Sequence, residues 1–231
     1  MAVTSSAQLP SVVVLDDASK LYGRFAALRS VSAQFAARRL YVVLGENGAG
    51  KSTLLRLIAG LIKPSRGSVA VLGSTQLREV SGRMGYVAHA PMLYDELSGI
   101  ENLRYFARLY GVLEAACEQA MQTVGLDSGL SRRVGQYSQG MRQRLSLARA
   151  IMNDPEVLLL DEPFSNVDAS SSREMIHLLE QRRDAGATVI LVTHQPALLE
   201  SSADEWMSMS AGRITARELR GAGARLPLTQ S

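Results

Sequence analysis

The sequence predicts an α/β protein with an antiparallel β subdomain and an inserted helical subdomain. A glycine-rich loop, Gly45–Thr53, joins an apolar strand to a helix. Two later runs, Glu156–Asp161 and Thr188–Thr193, are so apolar that they are typical of buried parallel strands. Between the loop and these strands, helical periodicity extends from about Ile100 to Met152 and indicates an insertion.

Composition agrees with one globular domain. The chain has 231 residues and is 46% hydrophobic, which is enough for a full core. The net charge of +3 is too weak to indicate a nucleic-acid partner, and we expect none. With only one cysteine, Cys117, no disulfide can form within the chain. No apolar run approaches a membrane span and no secretory signal is visible, so we expect other subunits to hold the chain at any membrane.

The elements follow from periodicity and turn signals. Strands are predicted at Ser11–Asp16, Val31–Phe35, Leu40–Leu44, Ser68–Leu72, Arg83–Ala88, Glu156–Asp161 and Thr188–Thr193, with a closing hairpin at Glu205–Ser210 and Arg213–Arg217. Helices are predicted at Leu54–Ala59, Glu101–Leu109, Ala115–Val124, Gly140–Ile151, Ser170–Asp184 and Pro196–Ser202. Ser170 to Ser172 are expected to cap their helix.

These elements define the expected domain organisation. Residues 11–219 are predicted to form a single domain, with the helical subdomain at about 90–153. Residues 1–10 are predicted to be a flexible leader and residues 220–231 a flexible tail, because chain ends are commonly loose.

The glycine-rich loop fits the pattern G-x-x-x-x-G-K-[ST] of a phosphate-binding loop. Its residues are Gly45, Glu46, Asn47, Gly48, Ala49, Gly50, Lys51, Ser52 and Thr53. Glycines let the backbone N–H groups turn toward phosphate oxygens, and the new helix offers its positive end to them. Lys51 can reach the β- and γ-phosphates, and the Ser52 hydroxyl can bind Mg²⁺. We therefore expect a nucleoside triphosphate here.

Two acids and a histidine follow apolar strands. Asp161 and Glu162 end one strand, and His194 ends the next. Because the carboxyl ends of parallel strands share one edge of a sheet, these side chains are expected beside the phosphate loop. Asp161 is then placed to hold Mg²⁺ and Glu162 to orient or deprotonate an attacking water. The His194 imidazole is expected to donate a hydrogen bond to the γ-phosphate.

A second helix start with glycine lies in the segment Ser138, Gln139, Gly140 and Met141. Ser138 suits an N-cap, and the helix that follows offers N–H groups to an anion. Taken alone this signal is weak, because many helices begin with Ser-x-Gly.

In this order, the motifs resemble the ATP-binding subunits of ABC transporters, over roughly Val12 to Arg217. The resemblance implies a P-loop NTPase (ABC ATPase) core that binds ATP and Mg²⁺ and hydrolyses the ATP. Ser165–Asp168 resembles the D-loop of that family, which implies that Asp168 contacts nucleotide. Tyr22 stands where the family stacks an aromatic ring on adenine, with ordinary core packing as the alternative.

The resemblance also implies partners and a location. Two subunits, expected to be identical, would pack head to tail, so that each ATP lies between one phosphate loop and the other chain's signature segment, Ser138–Met141. Closing and opening of this dimer would drive integral-membrane transporter subunits. The chain is accordingly expected at the cytoplasmic face of the inner (plasma) membrane as a peripheral subunit.

Two positions depart from the family pattern. The signature reads Ser-Gln-Gly-Met where the family usually has Ser-Gly-Gly-Gln, and the lost glycine stiffens the loop. His89 stands at the place of the Q-loop glutamine, and imidazole is a poor ligand for Mg²⁺. We expect His89 to bond a water or to couple nucleotide state to the membrane subunits; a loop histidine facing solvent is the alternative.

Within the family, Gly85–Pro91, Leu97–Phe106 and Thr193–Pro196 are similar to the haem exporter ATPase of bacterial cytochrome c maturation. His89 and the sequence His-Gln-Pro from His194 are the most telling features. This similarity implies haem export linked to cytochrome c biogenesis. The main alternative is the ATPase of an exporter for lipid, polysaccharide or drug, and a further one is a non-transport ABC ATPase such as an iron–sulfur assembly factor.

Overall fold

The computed structural model describes residues 9–220, so the predicted leader and tail lie almost wholly outside the described residues. The strands are β1 (Ser11–Tyr22), β2 (Phe25–Ala36), β3 (Leu40–Leu44), β4 (Arg66–Val71), β5 (Met84–Val87), β6 (Val157–Asp161), β7 (Thr188–Val192), β8 (Glu205–Ser210) and β9 (Arg213–Leu219). The helices are α1 (Lys51–Ile58), α2 (Leu77–Val80), α3 (Gly99–Tyr110), α4 (Ala115–Thr123), α5 (Gln139–Ile151) and α6 (Ala169–Asp184). Across residues 9–220, no helix is long and apolar enough to cross a membrane.

Two sheets organise the fold. A six-stranded sheet has the order β5-β6-β7-β3-β8-β9, and only β9 runs antiparallel to its neighbour. Strands β2, β1 and β4 form a separate three-stranded antiparallel sheet. The parallel core, the antiparallel subdomain, the closing hairpin and the helices inserted between β5 and β6 are therefore as the sequence predicts.

The central strands are buried on both faces, which explains their continuous apolar sequence. Along β7, Val189 and Leu191 pack into the core beneath α3 to α6. The alternate residues Ile190 and Val192 face the core formed with α1 and the antiparallel sheet. Because both faces of the sheet are covered, the strand ends, and the loops that leave them, are held in fixed positions.

The starts of two helices test the predicted caps. The Ser138 hydroxyl accepts a hydrogen bond from the Met141 N–H at 3.2 Å, so the predicted cap of α5 is confirmed. The prediction for α6 was wrong, because Asp168 caps it in place of the serines and accepts from the N–H groups of Ser170 and Ser171 at 3.1 and 2.9 Å. A carboxylate can accept both bonds at once, and its charge suits the positive end of a helix.

Gly85 sets how closely β5 approaches α5. A methyl group there would run into the backbone carbonyl of Ala150 and lie 2.8 Å from the Leu158 side chain. We expect Gly85→Ala to lower the free energy of unfolding by about 3 kcal/mol, as overpacking against backbone does. Urea denaturation measures this, with Gly82→Ala as control because a methyl at Gly82 meets nothing within 4 Å. Equal stability of the two variants would contradict the prediction.

Candidate functional site

A cavity of about 520 Å³ opens at the carboxyl edge of the six-stranded sheet. The phosphate loop contributes Asn47 to Thr53 to its walls. The other walls are formed by Phe25, Ala27, His89, Asp161, Glu162, Ser165 and His194. Since β6 and β7 are neighbours and β3 lies next to β7, the predicted gathering of both acids and His194 beside the loop is observed.

Glycine shapes the phosphate loop at the start of α1. Gly48 and Gly50 have φ angles of 82° and 101°, in the region that favours glycine. A Cβ atom on Gly50 would also lie 2.5 Å from the Ala27 carbonyl oxygen, so the loop packs directly on β2. Among the described residues no side chain caps α1, which leaves its first N–H groups for a ligand.

Lys51 lies folded back on the phosphate loop. Its ammonium group donates to the carbonyl oxygens of Gly45 at 2.7 Å and Glu46 at 3.0 Å. Burial lowers the pKa of Lys51, while the nearby carboxylates of Glu162 and Asp161 oppose that shift. The ammonium is thus held by neutral acceptors, and the anionic phosphates of a nucleotide would be stronger ones.

Ser52 and Asp161 meet at the end of β6. The Ser52 hydroxyl donates to Asp161 Oδ1 at 2.9 Å, and Asp161 is 1% exposed. The second oxygen, Oδ2, is buried without a hydrogen-bond partner among residues 9–220. A buried carboxylate oxygen that lacks a donor, next to a hydroxyl, suits a hard cation such as Mg²⁺. The residues therefore fit the predicted metal site.

Glu162 is in contact with His194. The His194 N–H donates to Glu162 Oε2 at 3.1 Å, and its ring Nε2 lies 3.1 Å from Glu162 Oε1. Glu162 has φ of 54°, an uncommon value for a residue with a side chain. Such strain is found at functional sites, and here it turns the chain sharply at the end of β6. The carboxylate is 12% exposed and the imidazole 48%, so the pair lies at the cavity wall with the histidine outward.

The aromatic ring that lines the cavity is Phe25, which the sequence analysis missed. The hairpin turn at Gly23 and Arg24 pairs Tyr22 with Phe25 across β1 and β2. Tyr22 is 47% exposed and is not among the cavity walls, whereas Phe25, 61% exposed, is. The sequence signal was an aromatic residue at the first position after the turn. Stacking of Tyr22 on adenine stays a prediction.

We expect Phe25→Ala to weaken ATP binding about fivefold, because stacking of a base on an aromatic ring contributes roughly 1–3 kcal/mol and this ring is partly exposed. Equilibrium titration with a fluorescent ATP analogue measures the change. Leu21→Ala is the matched control, because Leu21 is 40% exposed on the same hairpin but outside the cavity. Tyr22→Ala tests the other ring separately. An unchanged affinity for Phe25→Ala would contradict a role for Phe25.

The signature segment and Asp168 lie apart from this cavity. None of Ser138, Gln139, Gly140 and Met141 is among the residues that form its walls. A Cβ atom on Gly140 would be 3.9 Å from Asp168 Oδ2, so the segment lies beside the cap of α6. Hydrogen bonds from Ser170 and Ser171 hold the pKa of Asp168 well below its usual range. In this chain the Asp168 carboxylate is engaged as a helix cap.

Comparison with known proteins agrees with this geometry. Residues 28–165 match the family described as ABC transporter. The chain is 35% identical over 199 residues to the ABC transporter ATP-binding protein NatA of Bacillus subtilis (strain 168), covering 83% of this chain and 81% of NatA. It is 31% identical over 190 residues to the lantibiotic transport ATP-binding protein SrtF of Streptococcus pyogenes, covering 82% and 83%.

The fold gives the same assignment. An ATP-binding subunit of an ABC transporter superposes with a TM-score of 0.82 at 28% identity, covering 90% of each chain. This chain belongs to the ABC transporter family. It is an ATPase of that family, and ATP is its nucleotide.

Proposed function

We propose that the chain is the ATP-hydrolysing subunit of an ABC exporter and acts through separate membrane subunits. The observation that carries this proposal is the single cavity in which the phosphate loop, Glu162 and His194 meet. The loop and the start of α1 bind the phosphates, and Lys51 moves from its loop carbonyls to them. Ser52 and Asp161 would hold Mg²⁺, which supplies neutralising charge for the phosphates when it is bound.

Hydrolysis itself is assigned to Glu162. Its carboxylate orients an attacking water and accepts the proton that the water loses. The backbone N–H of His194 holds that carboxylate from one side, and the exposed His194 ring is placed to donate to the γ-phosphate. Each role follows from a contact in the cavity, and together they make a water-activating site.

The active form is proposed to be a head-to-tail homodimer. The chain has one phosphate loop in its cavity and a second anion-binding helix start, Ser138–Met141, outside it. Because this second helix start does not line the cavity, it cannot bind the ATP that the same chain holds. A second copy that brings its signature segment to the open side of the cavity would complete the ATP site.

A separate groove is proposed to receive the membrane subunits. It has a volume of about 440 Å³ and lies between the end of α1, β5, α3 and α5. Its walls include Leu61, Met92 and Leu109, which are 60%, 63% and 63% exposed. Large apolar side chains at such exposure mark a binding surface. A segment of an integral-membrane partner would cover them and place the chain at the cytoplasmic face of the inner membrane.

Haem for cytochrome c biogenesis is the proposed cargo. This proposal is based on the similarity of Gly85–Pro91, Leu97–Phe106 and Thr193–Pro196 to the haem exporter ATPase and is supported by the place of His89 in the cavity wall. Export of a peptide antibiotic or drug is the second candidate, favoured by the name of SrtF. The names of NatA and SrtF indicate transport and do not point to haem.

Purification from membranes in mild detergent tests the partner proposal. Integral-membrane subunits are expected to accompany the wild type and the Leu113→Glu variant, because Leu113 is 81% exposed but outside the groove. Leu109→Glu should lose them. Recovery of a soluble scaffold complex, with no membrane protein, would favour an iron–sulfur assembly factor. Vesicles reconstituted with the partners, and offered haem or a lantibiotic, would then decide the cargo.

His89 gives a sharper test of coupling. The exposed ring of His89 forms part of the cavity wall, but water activation is assigned to Glu162, so His89→Ala is expected to leave the ATPase rate of the isolated chain within about twofold. Transport by reconstituted vesicles should fall about tenfold. His177→Ala is the control, since His177 is an exposed histidine on α6, outside the cavity. Normal transport by His89→Ala would refute the coupling role.

A further inference from the structure

Arg144, on the second turn of α5, joins three helices. Its Nη1 donates to the Val124 carbonyl oxygen at the end of α4 at 3.2 Å. Its Nη2 donates to the Ser171 hydroxyl on α6 at 2.9 Å and lies 2.7 Å from Glu174 Oε2 on the same helix. The Arg144 side chain is only 16% exposed, so these bonds are largely shielded from water. One guanidinium therefore ties the inserted helices α4 and α5 to α6.

The chain makes room for this guanidinium. Gly125 follows α4 with φ of 70°, and a Cβ atom there would lie 2.9 Å from Arg144 Nη1. A side chain at this position would be strained and would displace the arginine. The turn after α4 is thus shaped around Arg144.

The same arginine supports the contact between the signature segment and the cap of α6. Ser171, which accepts from Arg144, donates its own N–H to Asp168 Oδ1 at 2.9 Å. Gly140 lies against this pair, since its Cβ atom would be 3.9 Å from both Asp168 Oδ2 and Ser171 Oγ. Arg144 therefore contacts Ser171, the residue of α6 that Gly140 lies against.

Asp168, the cap of α6, ends a short loop that begins at Glu162. Asp168 is the sixth residue after Glu162, and the Ser165 N–H donates to the Glu162 carbonyl oxygen at 3.2 Å within that short loop. Beside Arg144, α4, α5 and α6 enclose a cavity of about 260 Å³ that Arg144, Glu174 and Leu147 help to line. Buried Leu147 and Met175 also pack between these helices, and the polar bridge adds to that packing in fixing the relative positions of α5 and α6 here.

We propose that Arg144 is a positioning residue that couples the two ATP sites of the dimer. It holds the signature segment, which serves the second subunit's ATP, against the loop of Glu162, which serves the chain's own ATP. The inference rests on the proposed two-subunit site. Loss of the bridge frees the signature segment to tilt and leaves the phosphate loop intact, because Arg144 is not among the residues that line the phosphate-loop cavity.

ATP-driven dimerisation of Glu162→Gln protein, measured by light scattering during an ATP titration, tests the proposal. In that background Arg144→Met is expected to raise the ATP concentration for half-maximal dimerisation at least about tenfold. The affinity of the dilute monomer for ATP should stay within about twofold, because Arg144 is not among the residues that line the phosphate-loop cavity. Arg144→Lys should be intermediate, since a lysine cannot reproduce the forked geometry of the guanidinium.

The controls separate this inference from the proposed function. Glu174→Gln removes only the charge of a 64% exposed partner, so its dimerisation should stay within about twofold of the parent. If the Glu162→Gln parent does not dimerise with ATP, the two-subunit site itself is refuted. If the parent dimerises and Arg144→Met does so at the same ATP concentration, only the role of Arg144 is overturned. A parallel loss of monomer binding in Arg144→Met and Arg144→Lys would also overturn it, since that marks a general defect.

Discussion

Replacing Glu162 with glutamine is expected to lower steady-state ATP hydrolysis at least about 100-fold, the scale of general-base catalysis. Glutamine keeps the size of the side chain but cannot accept a proton from water. Binding of ATP should survive, because glutamine keeps an oxygen that can accept from the His194 N–H and the substitution leaves the phosphate loop itself unchanged. Phosphate release, equilibrium ATP binding and the mass of the ATP-bound species should be measured together, and the last should show a trapped dimer.

The matched control for this variant lies at the other end of the same strand. Glu156 immediately precedes β6 and pairs with Arg83 near the surface, 52% exposed. Glu156→Gln removes a carboxylate from the opposite edge of the sheet and should keep the wild-type rate. Wild-type hydrolysis by Glu162→Gln would remove Glu162 from the mechanism and leave water activation to another group.

The gathering of the candidate site was predictable because it depends on backbone periodicity alone. Apolar runs that end in Asp161 and His194 had to be buried parallel strands, and parallel strands end at one edge. The phosphate loop follows a third such strand, β3. Local composition therefore placed residues from distant parts of the chain next to one another without any knowledge of side-chain contacts.

Which of several polar side chains caps a helix was not predictable in the same way. Ser170, Ser171 and Asp168 are all good capping residues, and their order in sequence did not show which oxygen would reach the free N–H groups. The hairpin of β1 and β2 posed a similar difficulty. Tyr22 and Phe25 pair across its turn, but which of the two rings enters the cavity depends on how the antiparallel sheet packs on the phosphate loop.

The bridge made by Arg144 was beyond sequence reasoning for a stronger reason. Its acceptors, Val124 and Ser171, lie 20 and 27 residues away in the chain, on two other helices. A helical pattern shows which face of α5 is buried, but not which arginine on that face will find a carbonyl and a hydroxyl. Such contacts arise from the relative placement of α4, α5 and α6, which only the tertiary structure defines.

Replacing Lys51 with alanine is expected to weaken ATP binding about 100-fold, since loss of a charged hydrogen-bond donor to phosphate costs about 3 kcal/mol. Burial lowers the pKa of Lys51, which means that its site disfavours the charged form. The hydrogen bonds to the Gly45 and Glu46 carbonyl oxygens are therefore the main stabilising contacts of the ammonium group. Its removal should accordingly leave the melting temperature close to that of the wild type. Isothermal titration with ATP and a thermal melt measure the two effects.

Lys63→Ala is the control for Lys51→Ala, because Lys63 is an exposed lysine in the turn before β4 and should not affect ATP binding. Wild-type affinity for Lys51→Ala would refute the phosphate role of the loop.

The comparison with Glu162→Gln then gives the decisive contrast. If Lys51 binds phosphate and Glu162 activates water, one variant loses ATP and cannot dimerise, while the other keeps ATP and cannot leave the dimer. A double variant should behave like Lys51→Ala alone, because binding precedes hydrolysis in the same cavity.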